Sequence, residues 1–273
     1  MLIRLLRSLT RSPGDVAPEP GESPHLIGKR LRRAYASAPI GKHLEIAYGG
    51  MKIGKYGLVD FVDRCLVESG TDVIGNKVLH RPLASYFLAL YYLHSLDLEG
   101  ERVECGVFAG ASALIACRAA QTRLPAYTGA GLHLVDSFEG LADPREEDRF
   151  EGYTARHAPS YGRGAYLAPI ENARRSLAAF PEVAFHKGWI PAVFEELPAC
   201  KWAFVHLDVD HYAPTHAGLE YFYPRLASGG VIICDDYGSP TFPGAMRAWH
   251  AYCEEHDVPF VVHDTGQAVI LKT

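Results

Sequence analysis

The sequence predicts an α/β protein: a doubly wound, mostly parallel sheet of seven strands, closed by an antiparallel C-terminal hairpin and preceded by a helical cap. Three observations predict it. From Arg102 onward short apolar runs alternate with helical patterns, which demands a parallel sheet with right-handed crossovers. Two of the runs stop abruptly in carboxylates, Val205-His206-Leu207-Asp208 and Val231-Ile232-Ile233-Cys234-Asp235-Asp236. Prolines 169, 191, 214 and 243 stand where the intervening helices would begin, a position their fixed φ suits.

In chain order, residues 12–24 hold four prolines and two glycines, so residues 1–25 read as a flexible arm and linker. The apolar, arginine-dotted start, Met1 to Leu9, lacks the continuous apolar region and cleavage site of a signal peptide. Leu58, Phe61, Val62, Cys65 and Leu66 fall at i, i+3, i+4, i+7 and i+8, one apolar stripe of a helix. Leu83, Phe87, Leu88, Leu90 and Tyr91 mark a second, nearly all-round apolar helix, and residues 26–97 together form the cap. The expected strands are Arg102–Val107, Leu132–Asp136, Val183–His186, Ala203–Asp208, Gly230–Asp235, Pro259–His263 and Gln267–Leu271. Between them lie helices at Ala111–Gln121, Pro169–Phe180, Pro191–Glu196 (a short one), Pro214–Leu226 and Pro243–His256.

One connection, residues 138–168, is about 30 residues long where 2–6 is usual. It carries Tyr153, Tyr161 and Tyr166 with Arg145, Arg149, Arg156 and Arg163, and reads as a substrate lid.

Nothing in a formal net charge of −5 suggests a nucleic-acid partner, whose footprint would be a strongly basic face. Six scattered cysteines without a C-x-x-C pair fit reduced thiols in the cytoplasm. No apolar run is long enough for a transmembrane helix.

Carboxylates at the ends of parallel strands sit on the edge where α/β folds bind ligands. Asp208, Asp235 and Asp236 together supply the hard oxygen donors that Mg²⁺ prefers. After the first strand, Glu104-Cys105-Gly106-Val107-Phe108-Ala109-Gly110 opens a helix, with two glycines that permit a tight turn and close approach of a ligand. It is not G-x-G-x-x-G, so pyrophosphate binding is not specifically signalled. The second strand ends at Asp136, where a carboxylate can accept hydrogen bonds from both hydroxyls of a ribose or serve as a turn residue.

Glu104-x-Gly106-Val107-Phe108-x-Gly110 and Val135-Asp136-Ser137-Phe138-x-Gly140-Leu141 resemble the class I S-adenosylmethionine-dependent methyltransferases, whose sheet is Rossmann-like. More narrowly the chain is similar to the macrocin/mycinamicin sugar O-methyltransferase family, which includes the noviose O-methyltransferase of novobiocin assembly. That likeness is carried by Gly188-Trp189 with Phe194 and Leu197-Pro198, Leu207-Asp208-Val209-Asp210-His211-Tyr212, Tyr223-Pro224-x-Leu226 and Gly229-Gly230-Val231 through Tyr237. It covers roughly residues 100–256.

The resemblance implies that residues 98–273 form a methyltransferase domain that binds S-adenosylmethionine through Glu104, Gly106, Gly110, Ser112, Asp136, Ser137, Gly188 and Trp189. Gly106, Gly110 and Ser112 would line its methionine part, Asp136 and Ser137 its ribose, and Gly188-Trp189 its adenine. It implies Mg²⁺ on Asp208, Asp235 and Asp236, and a homo-oligomer. Three places depart from the family: Ala109-Gly110-Ala111 where Arg-Gly-Gly is common, Val209 where glycine is common, and a lid without a match.

The expected reaction is transfer of a methyl group to a hydroxyl of a small molecule or glycan, most simply on a sugar of a natural product or polysaccharide. Mg²⁺ would polarise that hydroxyl, and Asp208 would take its proton. Asp210 reads as a supporting residue, Lys187 as an outside candidate for the base, and His206, His211 and His216 as ordinary histidines rather than zinc ligands. Two alternatives stand beside this reading. One is a metal-dependent glycosyltransferase using Asp208-Val209-Asp210 as a D-x-D motif; the other is a non-catalytic S-adenosylmethionine-binding partner protein.

Overall fold

The computed structural model describes residues 51–70, 82–154, 156 and 161–273. The arm and linker at 1–25, and 26–50 and 71–81 of the cap, lie outside them. A two-residue hairpin pair, β1 (Lys52–Ile53) and β2 (Tyr56–Gly57), leads into helix α1 (Leu58–Ser69), and α2 (Pro82–Ser95) follows. Then come β3 (Glu101–Cys105), α3 (Ala111–Arg123), β4 (Leu132–Asp136), α4 (Ile170–Ser176), β5 (Ala184–Lys187), β6 (Trp202–Leu207), α5 (Tyr212–Phe222), β7 (Leu226–Cys234), α6 (Pro243–Glu255), β8 (Val261–Val262) and β9 (Ala268–Leu271).

The seven-stranded sheet has the order β5-β4-β3-β6-β7-β9-β8. β5, β4, β3, β6 and β7 run parallel, and β9 and β8 add antiparallel, as the alternation and the terminal hairpin require. The chain starts in the middle at β3, builds outward to β5, then returns to place β6 on the other side of β3. That reversal opens a crevice beyond the carboxyl ends of β3 and β6, where α/β sheets take their ligands.

Two cores flank the sheet, and strand periodicity assigns side chains to each. Leu132, Leu134, Phe204, Val231 and Ile233 pack with α1, α2 and α3 on one face. Their alternates Val103, Cys105, Val135, Val205, Leu207, Ile232 and Cys234 pack with α5 and α6 on the other. Runs buried on both faces explain why these strands read as continuously apolar. The α1 stripe, Leu58, Phe61, Val62, Cys65 and Leu66, is at most 4% exposed, and each such large side chain contributes roughly 1.5–3 kcal/mol on burial. Against the hairpin, α2 is fixed by the His263 ring stacked 4.1 Å from Phe87 and by the Tyr91 hydroxyl 2.9 Å from His263 Nε2.

Several expected boundaries move, each for a local reason. β3 ends at Cys105 rather than Val107, because Gly106 turns the chain at φ +87°. α5 begins two residues before Pro214, which occupies the third helical position, where the missing N–H has no intrahelical acceptor. It ends at Phe222, ahead of Pro224, and a 3₁₀ turn at Tyr223–Arg225 delivers the chain to β7 at Leu226 instead of Gly230. α4 stops at Ser176, and the segment 191–196 is a 3₁₀ helix, Ala192–Glu196.

Candidate functional site

The site is assembled where four strands end. β3, β6 and β7 are staggered by continued ladder bonds: the Asp208 amide donates to Cys105 O and the Asp235 amide to Leu207 O, both at 2.9 Å. Asp208 and Asp235 are thereby fixed on adjacent strands. Between β3 and α3 the chain crosses over Asp208 so closely that only glycine fits at 106. A Cβ there would lie 1.7 Å from the Asp208 carbonyl oxygen. The close approach read from the sequence is thus made first by the protein's own backbone. Gly110, also at positive φ, caps α3 and faces Ala173 of α4.

Asp136 organises the turns at the ends of β3 and β4. Its Oδ2 accepts from the Val107 and Phe108 amides at 2.7 and 3.0 Å, and its Oδ1 accepts from the Phe138 amide at 2.7 Å. One carboxylate therefore ties the glycine turn to the β4 turn, using three of about four lone-pair positions, which leaves it able to accept from one ribose hydroxyl rather than both. Ser137 Oγ accepts from the Glu139 amide, and the Gly188 amide donates to Asp136 O at 2.9 Å. A Cβ on Gly188 would meet Val193 Cβ at 2.9 Å, while neighbouring Trp189 is 41% exposed. Glu104 is buried, and its Oε1 accepts from Ser112 Oγ at 2.7 Å.

The acidic centre is compact. Asp208, Asp235 and Asp236 each present a carboxylate oxygen, all within 4.8 Å of one another. Burial, and then the charges of Asp235 and Asp236, hold the Asp208 carboxyl well above the ordinary range. Asp210 is raised in the same way, by burial and by Asp236 and Asp208. Its amide donates to Asp236 Oδ2 at 2.9 Å, which places it behind the trio. Like charges held this close repel, and either a proton or a divalent cation relieves the repulsion; three hard oxygens fit the donor set of Mg²⁺.

His206 links the two halves. It alternates onto the same sheet face as Glu104, its register partner, with Nδ1 3.5 Å from Glu104 and Nε2 3.8 Å from Asp235. Burial works against its protonation, but Asp235 and Glu104 outweigh this and raise it well above the ordinary histidine range. The other two histidines go elsewhere, His211 against Phe242 and His216 stacked on Tyr212. Sequence reasoning missed two supports. Gln267, 1% exposed, donates from Nε2 to Asp235 Oδ1 at 2.7 Å, and Asp148 in the long connection accepts from the Tyr212 amide at 2.6 Å.

Over this edge lies the long connection. Tyr166 rests edge-on to Phe108, with ring centroids 6.3 Å apart, and tilts against Phe242. Its phenol is pushed up to about 12 by burial and by Asp210, Tyr161, Asp236 and Asp208. Among the described residues, five other than glycine have positive φ, and four of them (Phe108, Phe138, Tyr166 and Asp210) stand around this end of the sheet. Strain of that kind concentrates at functional sites. An open hollow of about 550 Å³ lined by Glu146, Arg149, Phe150 and Arg247 includes none of the acidic trio.

Strand order, crevice and strand-end acids define the class I methyltransferase fold, and solved structures share it. The O-methyltransferase NovP superposes with a TM-score of 0.60 at 21% identity, over 73% of this chain and 84% of its own. The calicheamicin methyltransferase CalS11 gives 0.60 at 20% identity, over 78% and 91%. At such identities the likeness is one of fold. More particularly, residues 77–269 match the macrocin-O-methyltransferase (TylF) family, and the chain belongs to that family.

A relative from Streptomyces olivaceus, the 8-demethyl-8-(2,3-dimethoxy-alpha-L-rhamnosyl)-tetracenomycin-C 4'-O-methyltransferase, is 32% identical over 146 residues, 50% of this chain and 53% of that one. The mycinamicin III 3''-O-methyltransferase of Micromonospora griseorubida is 28% identical over 165 residues, 58% and 62% of the two chains. The chain spans little more than half the length of these curated relatives.

Proposed function

We propose that the protein is a Mg²⁺-dependent O-methyltransferase that moves a methyl group from S-adenosylmethionine to a hydroxyl on a sugar of a natural product or polysaccharide. The observation that carries the proposal is the Asp208–Asp235–Asp236 trio at the strand ends, beside the glycine turn, in a chain of this family. Asp208, Asp235 and Asp236 would hold the cation. Glu104, Gly106, Gly110 and Ser112 would face the methionine part of the donor, Asp136 and Ser137 its ribose, and Gly188 and Trp189 its adenine. When bound, the donor supplies an electrophilic methyl on a sulfonium, and Mg²⁺ supplies a Lewis acid that makes the acceptor hydroxyl easier to ionise.

Transfer to the acceptor oxygen would break the donor's sulfur–carbon bond and yield S-adenosylhomocysteine and a methyl ether. Asp208 takes the released proton. The long connection at 138–168 would act as a lid that excludes water and chooses the acceptor.

Family membership argues against the glycosyltransferase reading, as does the acidic trio, which joins Asp208 to Asp235 and Asp236 rather than to Asp210. No helix among the described residues is long and apolar enough to cross a membrane. A cytoplasmic homo-oligomer with a helical cap at 26–97 and a methyltransferase domain at 98–273 completes the proposal.

The test is transfer of labelled methyl from S-adenosylmethionine to a panel of glycosylated natural products and nucleotide sugars, with Mg²⁺ or with EDTA. The expected result is a methyl ether with Mg²⁺ and none with EDTA. Asp208→Asn should lose at least 100-fold in rate while binding S-adenosylhomocysteine as the wild type does. Donor binding without transfer to any acceptor would favour a non-catalytic partner protein.

A further inference from the structure

Four amides of the turn that carries Asp208 and Asp210 are committed. That of Asp208 goes to β3, that of Asp210 to Asp236, and that of His211 back to Val209. The last, on Tyr212, leaves the turn altogether and donates 2.6 Å to Oδ1 of Asp148, 64 residues away in the long connection. Asp148 is 6% exposed, so this is a buried carboxylate at the first residue of α5, where the helix presents unpaired N–H groups and partial positive charge. Its other oxygen accepts from the Arg145 amide at 2.8 Å and closes the 3₁₀ turn Glu146–Asp148.

The carboxylate also enters the first turn of α6. A Cβ on Gly244 would stand 2.1 Å from Asp148 Oδ1, so the helix has a glycine where the lid's acid sits. From the same helix Arg247 donates to the carbonyls of Glu147 and Arg149, on either side of Asp148. The lid's foot is thus clamped to two helices, and one of them begins two residues after Asp210. Asp210 has φ +61°, a conformation that persists only where its surroundings enforce it.

We infer that Asp148 is a positioning residue for the cation site: through the Tyr212 amide it fixes the short turn that aims Asp208 and Asp210, and so couples the order of the lid to cation binding. The inference rests on the cation reading of the Asp208–Asp235–Asp236 trio. A link between two sites is reciprocal, so the lid should help hold the cation and the cation should help hold the lid.

Mn²⁺ is the probe for affinity, by titration calorimetry on the full chain. Asp148→Ala should raise the Mn²⁺ dissociation constant at least fivefold and leave S-adenosylhomocysteine affinity within twofold. Asp148→Asn retains an oxygen for Tyr212 and should recover most of the loss. A merely structural role would lower the melting temperature of Asp148→Ala but leave Mn²⁺ affinity within twofold, and that result overturns the inference. Should Asp148→Ala fail to fold, the wild type decides: saturating Mg²⁺ should slow hydrogen exchange at the Arg145 and Tyr212 amides at least fivefold, and unchanged exchange overturns the coupling. Absence of Mn²⁺ binding to the wild type sinks the cation reading itself, and this inference with it; unchanged affinity in Asp148→Ala sinks only the inference.

Discussion

Gly106 and Asp208 touch through their backbones: the space for a Cβ on the glycine is filled by the aspartate's carbonyl oxygen, 1.7 Å from where that carbon would be. The turn expected to receive the methyl donor and the strand end expected to receive the cation therefore lean on each other. Gly106→Ala adds a steric clash to a φ of +87°, and both β3 and β6 are central strands that cannot move aside. Overpacking of this kind costs about 1–3 kcal/mol, and the left-handed backbone adds about 1. Urea denaturation should show a loss in that combined range. Mn²⁺ binding should weaken too, since relief of the clash displaces Asp208.

Gln267 is the second point where the site depends on a distant residue. It is buried, it follows the hairpin turn, and it donates to Asp235 Oδ1 at 2.7 Å. Partners that orient a metal-binding carboxylate are typically worth 10–100-fold in affinity. Gln267→Ala should weaken Mn²⁺ binding by that factor with little change in S-adenosylhomocysteine binding, measured by calorimetry. Equal affinity in variant and wild type would mean that Asp235 keeps its aim without the amide.

Both residues show what the sequence could and could not disclose. Asp208, Asp235 and Asp236 were legible because each ends an apolar run, and a parallel sheet must bring such ends to one edge. The stripe of α1 was legible because helical periodicity is local. Gln267 was not: it looks like any polar residue at the start of a strand until β9 is known to lie beside β7. Asp148 was hidden for the same reason, since its partners Tyr212 and Gly244 are separated from it by 64 and 96 residues. Asp136 was found as a strand-end acid, but its three bonds to backbone amides depend on two turns meeting in space.

A pair of histidines away from the acids makes stability depend on pH. On β4 and β5, His133 Nδ1 and His186 Nε2 approach to 2.9 Å with their rings stacked, so one nitrogen must donate and the other accept. Burial, and then the neighbouring His186, lower the His133 pKa below its ordinary value of 6.5, with Glu101 opposing. Burial likewise lowers His186, with Glu196 opposing. A histidine depressed in the folded state takes up its proton first in the unfolded chain. Its contribution to stability is therefore present above pH 6.5 and lost as pH falls below it. Between pH 7.5 and 5.5 the melting temperature of the metal-free wild type should fall relative to that of His186→Phe. That variant retains an aromatic ring against His133 but removes one titrating nitrogen pair. Because the strand-end carboxylates titrate alike in both proteins, the difference between the two slopes isolates the histidines. Parallel slopes would show that His186 contributes nothing to the acid sensitivity of the fold.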